Sequence, residues 1–123
     1  MARQALVAVV DDDQSVRESL PDLLKELGYA ACAFASAEEF LASGLSMKPS
    51  CLILDIVMPG MSGPELQREL TRSGYSVPTI FITANTDSSV RPTVLKQGAI
   101  DCLLKPFSEE ALRMALEAAL PGP

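Results

Sequence analysis

The sequence predicts a parallel α/β fold, and three observations carry that expectation. Short apolar runs recur at residues 6–10, 30–35, 51–54, 79–82 and 101–104, each followed by a longer segment with helical spacing. That alternation is the signature of a parallel sheet with helical crossovers. Residues that start and stop helices bracket the longer segments, and acidic, hydroxyl or basic residues stand directly after four of the five runs.

In the first helical segment Val16, Leu20, Leu23, Leu24 and Leu27 share one face, Ser15 and Glu18 have capping-box spacing, and Gly28 is a stop. Pro21 falls inside this segment, where its missing N–H predicts either a kink or a late helix start. Ser36 with Glu39 repeats the capping spacing for a second helix ending at Gly44, and Gly63-Pro64 places proline in the first turn of a third. A fourth helix is expected over residues 89–97, with Pro92 early and Gly98 as its end. A fifth starts near Ser108, carries Leu112, Ala115, Leu116, Ala119 and Leu120 on one stripe, and is broken by Pro121-Gly122-Pro123. The whole of residues 1–123 is expected to be one domain with a core of about residues 5–120, and residues 121–123 a tail or the start of a linker.

Composition narrows the chemistry. With 48% hydrophobic residues in 123, one buried core needs no metal or disulfide staple. No apolar run has membrane-spanning length and no secretory signal opens the chain, so a soluble, cytoplasmic protein without membrane contact is expected. Cys32, Cys51 and Cys102 are odd in number and widely spaced, which predicts reduced core thiols. A formal charge of −6 argues against direct binding of nucleic acid. The chain has no histidine, so its chemistry must rest on carboxylates, hydroxyls and lysine.

Ligands of parallel α/β sheets bind outside the carboxyl ends of the strands. The first run leads into Asp11-Asp12-Asp13, the third into Asp55, the fourth into Thr83 and the fifth into Lys105. Asp11, Asp12 and Asp55 on one crevice would repel each other unless a hard cation lay between them, and carboxylate oxygens with retained waters suit Mg²⁺. Lys105 adds a positive charge able to pair with Asp55 or with a phosphoryl oxygen, and Thr83 a hydrogen-bond donor. A carboxylate nucleophile, a metal, a lysine and a hydroxyl suffice for phosphoryl transfer, which needs mainly positioning and charge neutralisation. The residues therefore read as an aspartyl-phosphate site.

The runs Val9-Val10-Asp11-Asp12-Asp13, Leu52 to Gly63 around Asp55, Ile80 to Ala84, and Gly98 to Phe107 closely resemble the receiver domains of two-component response regulators. The resemblance implies a flavodoxin-like three-layer sandwich, with a five-stranded parallel sheet in order 2-1-3-4-5 and five helices. It implies Asp55 as phosphoacceptor, Asp11 and Asp12 as the Mg²⁺-binding pair, the backbone carbonyl of Val57 as a further ligand, Thr83 as the switch hydroxyl and Lys105 as its partner lysine. The peptide bond to Pro106 is commonly cis in such domains. The donor would be a sensor histidine kinase or a histidine phosphotransfer protein. Output would lie in an attached domain outside the chain, one able to bind DNA among the options, or in phosphorylation-dependent homodimerisation. Such a module is a phosphoacceptor that takes part in its own phosphorylation and dephosphorylation, not a turnover enzyme.

One departure is Cys102, where receivers usually carry Tyr or Phe three residues before the lysine. It keeps open a second reading, a non-switching interaction domain of receiver fold. A third, a Mg²⁺-dependent phosphohydrolase, would want an aspartate two residues beyond Asp55, where Val57 stands. Asp13, Val57 and Asn85 occupy positions that tune phosphate lifetime in the family.

Overall fold

A computed structural model describes residues 5–43, 48–84 and 89–120. Five strands, β1 (Leu6–Val10), β2 (Ala30–Phe34), β3 (Cys51–Asp55), β4 (Thr79–Thr83) and β5 (Asp101–Leu104), alternate with helices α1 (Gln14–Glu26), α2 (Ala37–Ala42), α3 (Gly63–Arg72), α4 (Val90–Lys96) and α5 (Glu109–Ala119). All strand pairs are parallel and the sheet order is β2-β1-β3-β4-β5, as the family resemblance implied.

Side chains of a strand alternate between faces, and here the alternation sorts the core into two layers. Val7, Val9, Cys51, Ile53, Ile80, Ile82 and Leu103 pack beneath α1 and α5 through Leu20, Leu24, Leu112, Ala115 and Leu116. Their neighbours Ala8, Val10, Leu52, Leu54, Phe81 and Cys102 pack on the other face against Phe40 of α2, Leu66 and Leu70 of α3, and Val94 of α4. The central strands β3 and β4 are buried at every residue, as sheets covered on both faces require. Among the described residues no helix is long and apolar enough to cross a membrane.

The helix starts differ from expectation in one place. The cap of α1 is Asp13, whose carboxylate accepts from the Ser15 N–H at 2.9 Å and the Ser15 hydroxyl at 2.8 Å, so the Ser15/Glu18 capping box does not form. An ionised carboxylate at the cap satisfies the orphan donors and the helix dipole together, and Glu18 instead accepts from Gln14 at 2.8 Å. The helix starts at Gln14 and runs through Pro21, so the late start does not occur. Ser36 caps α2 as expected, Ser62 and Glu65 form a complete capping box around Pro64 in α3, and Ser108 caps α5. Gly98, at φ 107°, follows α4. Gly44, Asn85 and residues 121–123, to which endings or tuning roles were assigned, lie outside the described residues.

Cys51 and Cys102 are buried and Cys32 is half-buried on the edge strand, all three as free thiols. Burial pushes the Cys51 thiol up to about 12, which leaves it without thiolate character at neutral pH.

Candidate phosphoacceptor site

Strand register assembles the site. Val10 pairs with Leu54, so Asp11 and Asp55 leave adjacent strands at the same level, and Asp55 pairs with Ile82. Thr83 pairs with Leu104, and the Lys105 N–H donates to the Thr83 carbonyl at 2.8 Å, which places Lys105 one step beyond the sheet edge. Asp11, Asp55 and Lys105 continue the alternation of Val9, Ile53 and Leu103, the residues that face α1 and α5. The Lys105–Pro106 peptide bond is cis.

The three acids named from the sequence do converge: carboxylate oxygens of Asp11, Asp12 and Asp55 lie within 4.8 Å of one another. Asp11 is fully buried, Asp55 is 7% exposed and Asp12 is open to solvent. Lys105 Nζ stands 2.8 Å from Asp11 Oδ2 and 3.5 Å from Asp55 Oδ2. The ammonium therefore pairs with Asp55, as the sequence suggested, and stands closer still to Asp11. Apart from this ion pair, the buried Asp11 Oδ2 has no hydrogen-bond partner among the described residues.

Electrostatics follow from this crowding. Burial, and then the neighbouring Asp11 carboxylate, raise Asp55 from the usual 3.8 to about 6, with Lys105 only partly opposing them. Burial alone would lower Lys105, but its contacts with Asp11 and Asp55 outweigh that and hold its ammonium above the ordinary lysine value. An orphaned buried carboxylate oxygen beside two further carboxylates is an all-oxygen donor set that fits a hard divalent cation such as Mg²⁺.

The loop after β3 is tied down from outside. The Met61 N–H donates to Glu38 Oε2 at 3.0 Å, and a Cβ at Gly60 (φ +77°) would stand 2.8 Å from that oxygen. Val57, in the same loop, exposes its side chain, while its backbone N–H reaches the Asp55 carboxylate and favours its ionised form. Thr83 is buried at the end of β4. An apolar groove of about 630 Å³, lined in part by Val16, Leu20, Pro106 and Phe107, opens beside Asp13 and Lys105.

Three contributors escaped the sequence reading. Glu38 makes the loop contact just described, Arg17 Nη1 donates to the Asp11 carbonyl at 3.0 Å, and Arg91 joins α4 to β5 through the Cys102 carbonyl at 3.2 Å and Asp101 at 2.6 Å. Arg17 and Arg91 carried a signal, a cation in the first turn of a helix, where the dipole favours anions.

The family model of the response regulator receiver domain matches residues 7–117. The chain is 43% identical over 116 residues to nodulation protein W of Bradyrhizobium diazoefficiens, covering 94% of this chain and 51% of that protein. It is 40% identical over 118 residues to the response regulator protein TodT of Pseudomonas putida, covering 96% and 52%. The chain thus spans about half the length of these curated relatives. Among solved structures, the response regulator StyR superposes with a TM-score of 0.85 at 44% identity, covering 96% of this chain and 60% of that one. The structure of FixJ-N does so with 0.83 at 36%, covering 96% and 94%. With the fold, the strand-end acids and these likenesses in agreement, the chain belongs to the response regulator receiver domains.

Proposed function

We propose that this receiver is a phosphorylation switch in which Asp55 takes the phosphoryl group. The observation that carries the reading is the meeting of Asp11, Asp12 and Asp55 with Lys105 at one edge of the sheet. An ionised Asp55 oxygen attacks phosphorus while the bond from phosphorus to the donor nitrogen or oxygen breaks, and the donor leaves with that electron pair. Lys105, already between two carboxylates, has the reach to follow a phosphoryl oxygen on Asp55, and Thr83 lies at the neighbouring strand end to donate a hydrogen bond. Asp11, Asp12, Asp55 and the Val57 carbonyl would hold Mg²⁺, whose charge neutralises the oxygens of the transferred group.

In this reading the donor is a sensor histidine kinase or histidine phosphotransfer protein in the cytoplasm. The output is an attached domain outside the chain, in keeping with relatives named transcriptional regulatory proteins, or a homodimer formed on phosphorylation. The module is a phosphoacceptor and not a turnover enzyme. Cys102 favours a second reading, a non-switching interaction domain, because it is 5% exposed and offers no ring to swing inward.

The test is the intact mass after incubation with acetyl phosphate, with and without Mg²⁺, beside Asp55→Asn. Gain of one phosphoryl group that needs the metal and vanishes in the variant is expected. A folded wild type that gains nothing, and whose spectrum a beryllofluoride mimic leaves unchanged, would favour the non-switching reading.

A further inference from the structure

We propose that Arg17 is a positioning residue for the cation site, holding the Asp11 backbone so that Asp11 Oδ2 is presented to the ion; this rests on the phosphoacceptor reading above. Arg17 lies four residues after the α1 cap Asp13, where the helix dipole opposes a positive charge. Among the described residues no carboxylate lies within ion-pair distance of its half-buried side chain. What it does contact is the Asp11 carbonyl, to which Nη1 donates at 3.0 Å.

That bond completes a set. The Asp11 N–H donates to the Phe34 carbonyl at 3.1 Å, which ties the end of β1 to β2. Asp11 Oδ1 accepts from the Asp13 N–H at 2.9 Å, which shapes the acidic turn into α1. With Arg17 on the carbonyl, each polar atom of Asp11 has a hydrogen-bond partner except Oδ2, the atom ion-paired with Lys105. Outer groups that orient a ligand in this way govern metal affinity without touching the metal.

The sign of the effect separates positioning from mere charge. Deleting a positive charge near three carboxylates should tighten cation binding by Coulomb's law, whereas loss of positioning should weaken it. The experiment is a Mg²⁺ titration of the folded chain followed by amide NMR shifts of the acidic turn, for wild type, Arg17→Met and Arg17→Lys. Methionine keeps an apolar stem and removes the donor, and about tenfold weaker binding is expected. Lysine, which keeps the charge on a single nitrogen with a shorter reach, should fall between the two.

Mg²⁺ affinity in Arg17→Met that equals or exceeds wild type overturns the proposal. Should that variant not fold, Arg17→Lys decides: weaker binding supports positioning, and unchanged or tighter binding overturns it. A wild type that takes up no Mg²⁺ overturns the reading of the site itself and this proposal with it.

Discussion

Gly63 lies so close to Asp55 that a Cβ built on it would stand 2.3 Å from the Asp55 carbonyl oxygen and 3.1 Å from a ring carbon of Phe81. The obstacle is backbone, which cannot rotate aside. The Gly63 N–H also donates to the Ile56 carbonyl at 3.1 Å, so the first residue of α3 is clasped to the end of β3. Gly63→Ala should therefore destabilise the fold by about 2–3 kcal/mol and lower phosphoryl uptake, because relief requires Asp55 or α3 to shift. Urea unfolding of the variant checks the first part, and a loss under about 0.5 kcal/mol, the usual range of neutral surface changes, would contradict it.

Asp55 holds its proton more tightly in the folded protein than in the unfolded chain, at about 6 against 3.8. For an acid raised in this way, stability is greatest below the unfolded value and declines as pH rises through the folded one. Without divalent metal, the wild type should lose stability between about pH 4 and 6 from this group, and Asp55→Asn should be more stable at pH 7 by about 1–3 kcal/mol. Thermal melts of both proteins in EDTA across that range measure the difference. Equal stability at pH 7 would mean that burial and Asp11 do not strain the carboxylate.

Lys105 answers both buried acids at once, 2.8 Å from Asp11 and 3.5 Å from Asp55. Its raised value means that this stabilisation is fully present below the unfolded lysine range and fades only as pH climbs through the folded value, well above neutrality. Lys105→Met should then cost about 3 kcal/mol at pH 7 without metal, since it leaves uncompensated buried charge. Added Mg²⁺ should return more of that loss than it adds to the wild type. Denaturant titrations with and without Mg²⁺ give both numbers, and a variant that Mg²⁺ stabilises no more than the wild type would count against a cation among these carboxylates.

Most of the architecture was written in local pattern. A run such as Leu52-Ile53-Leu54 has one meaning in a sheet covered on both faces, and the acid that follows it falls at the strand end wherever neighbouring strands stay in register. The start of α1 misled because Ser15 and Glu18 fit a capping box on spacing alone, while the competing cap Asp13 was hidden inside an acidic run read only for its chemistry. The partners of Arg91 and Glu38 were illegible for a different reason. Asp101, Cys102 and Met61 are 10, 11 and 23 residues away, and only the packing of helices on the sheet brings them within reach. The closer approach of Lys105 to Asp11 than to Asp55 is of the same kind, a difference of a fraction of an ångström.

The site draws on β1 and β3, which pair in space across the intervening β2 of the chain, and Asp55 and Lys105 stand 50 residues apart in sequence. During synthesis, a nascent chain that has emerged through β4 already carries Asp11, Asp12, Asp55 and Thr83 but no ammonium to offset them. Contacts of such separation have to pay their loop-closure entropy before they return any stabilisation. Lys105, the first residue after β5, thus brings the ammonium that offsets the buried acids Asp11 and Asp55 only once the last strand is in place.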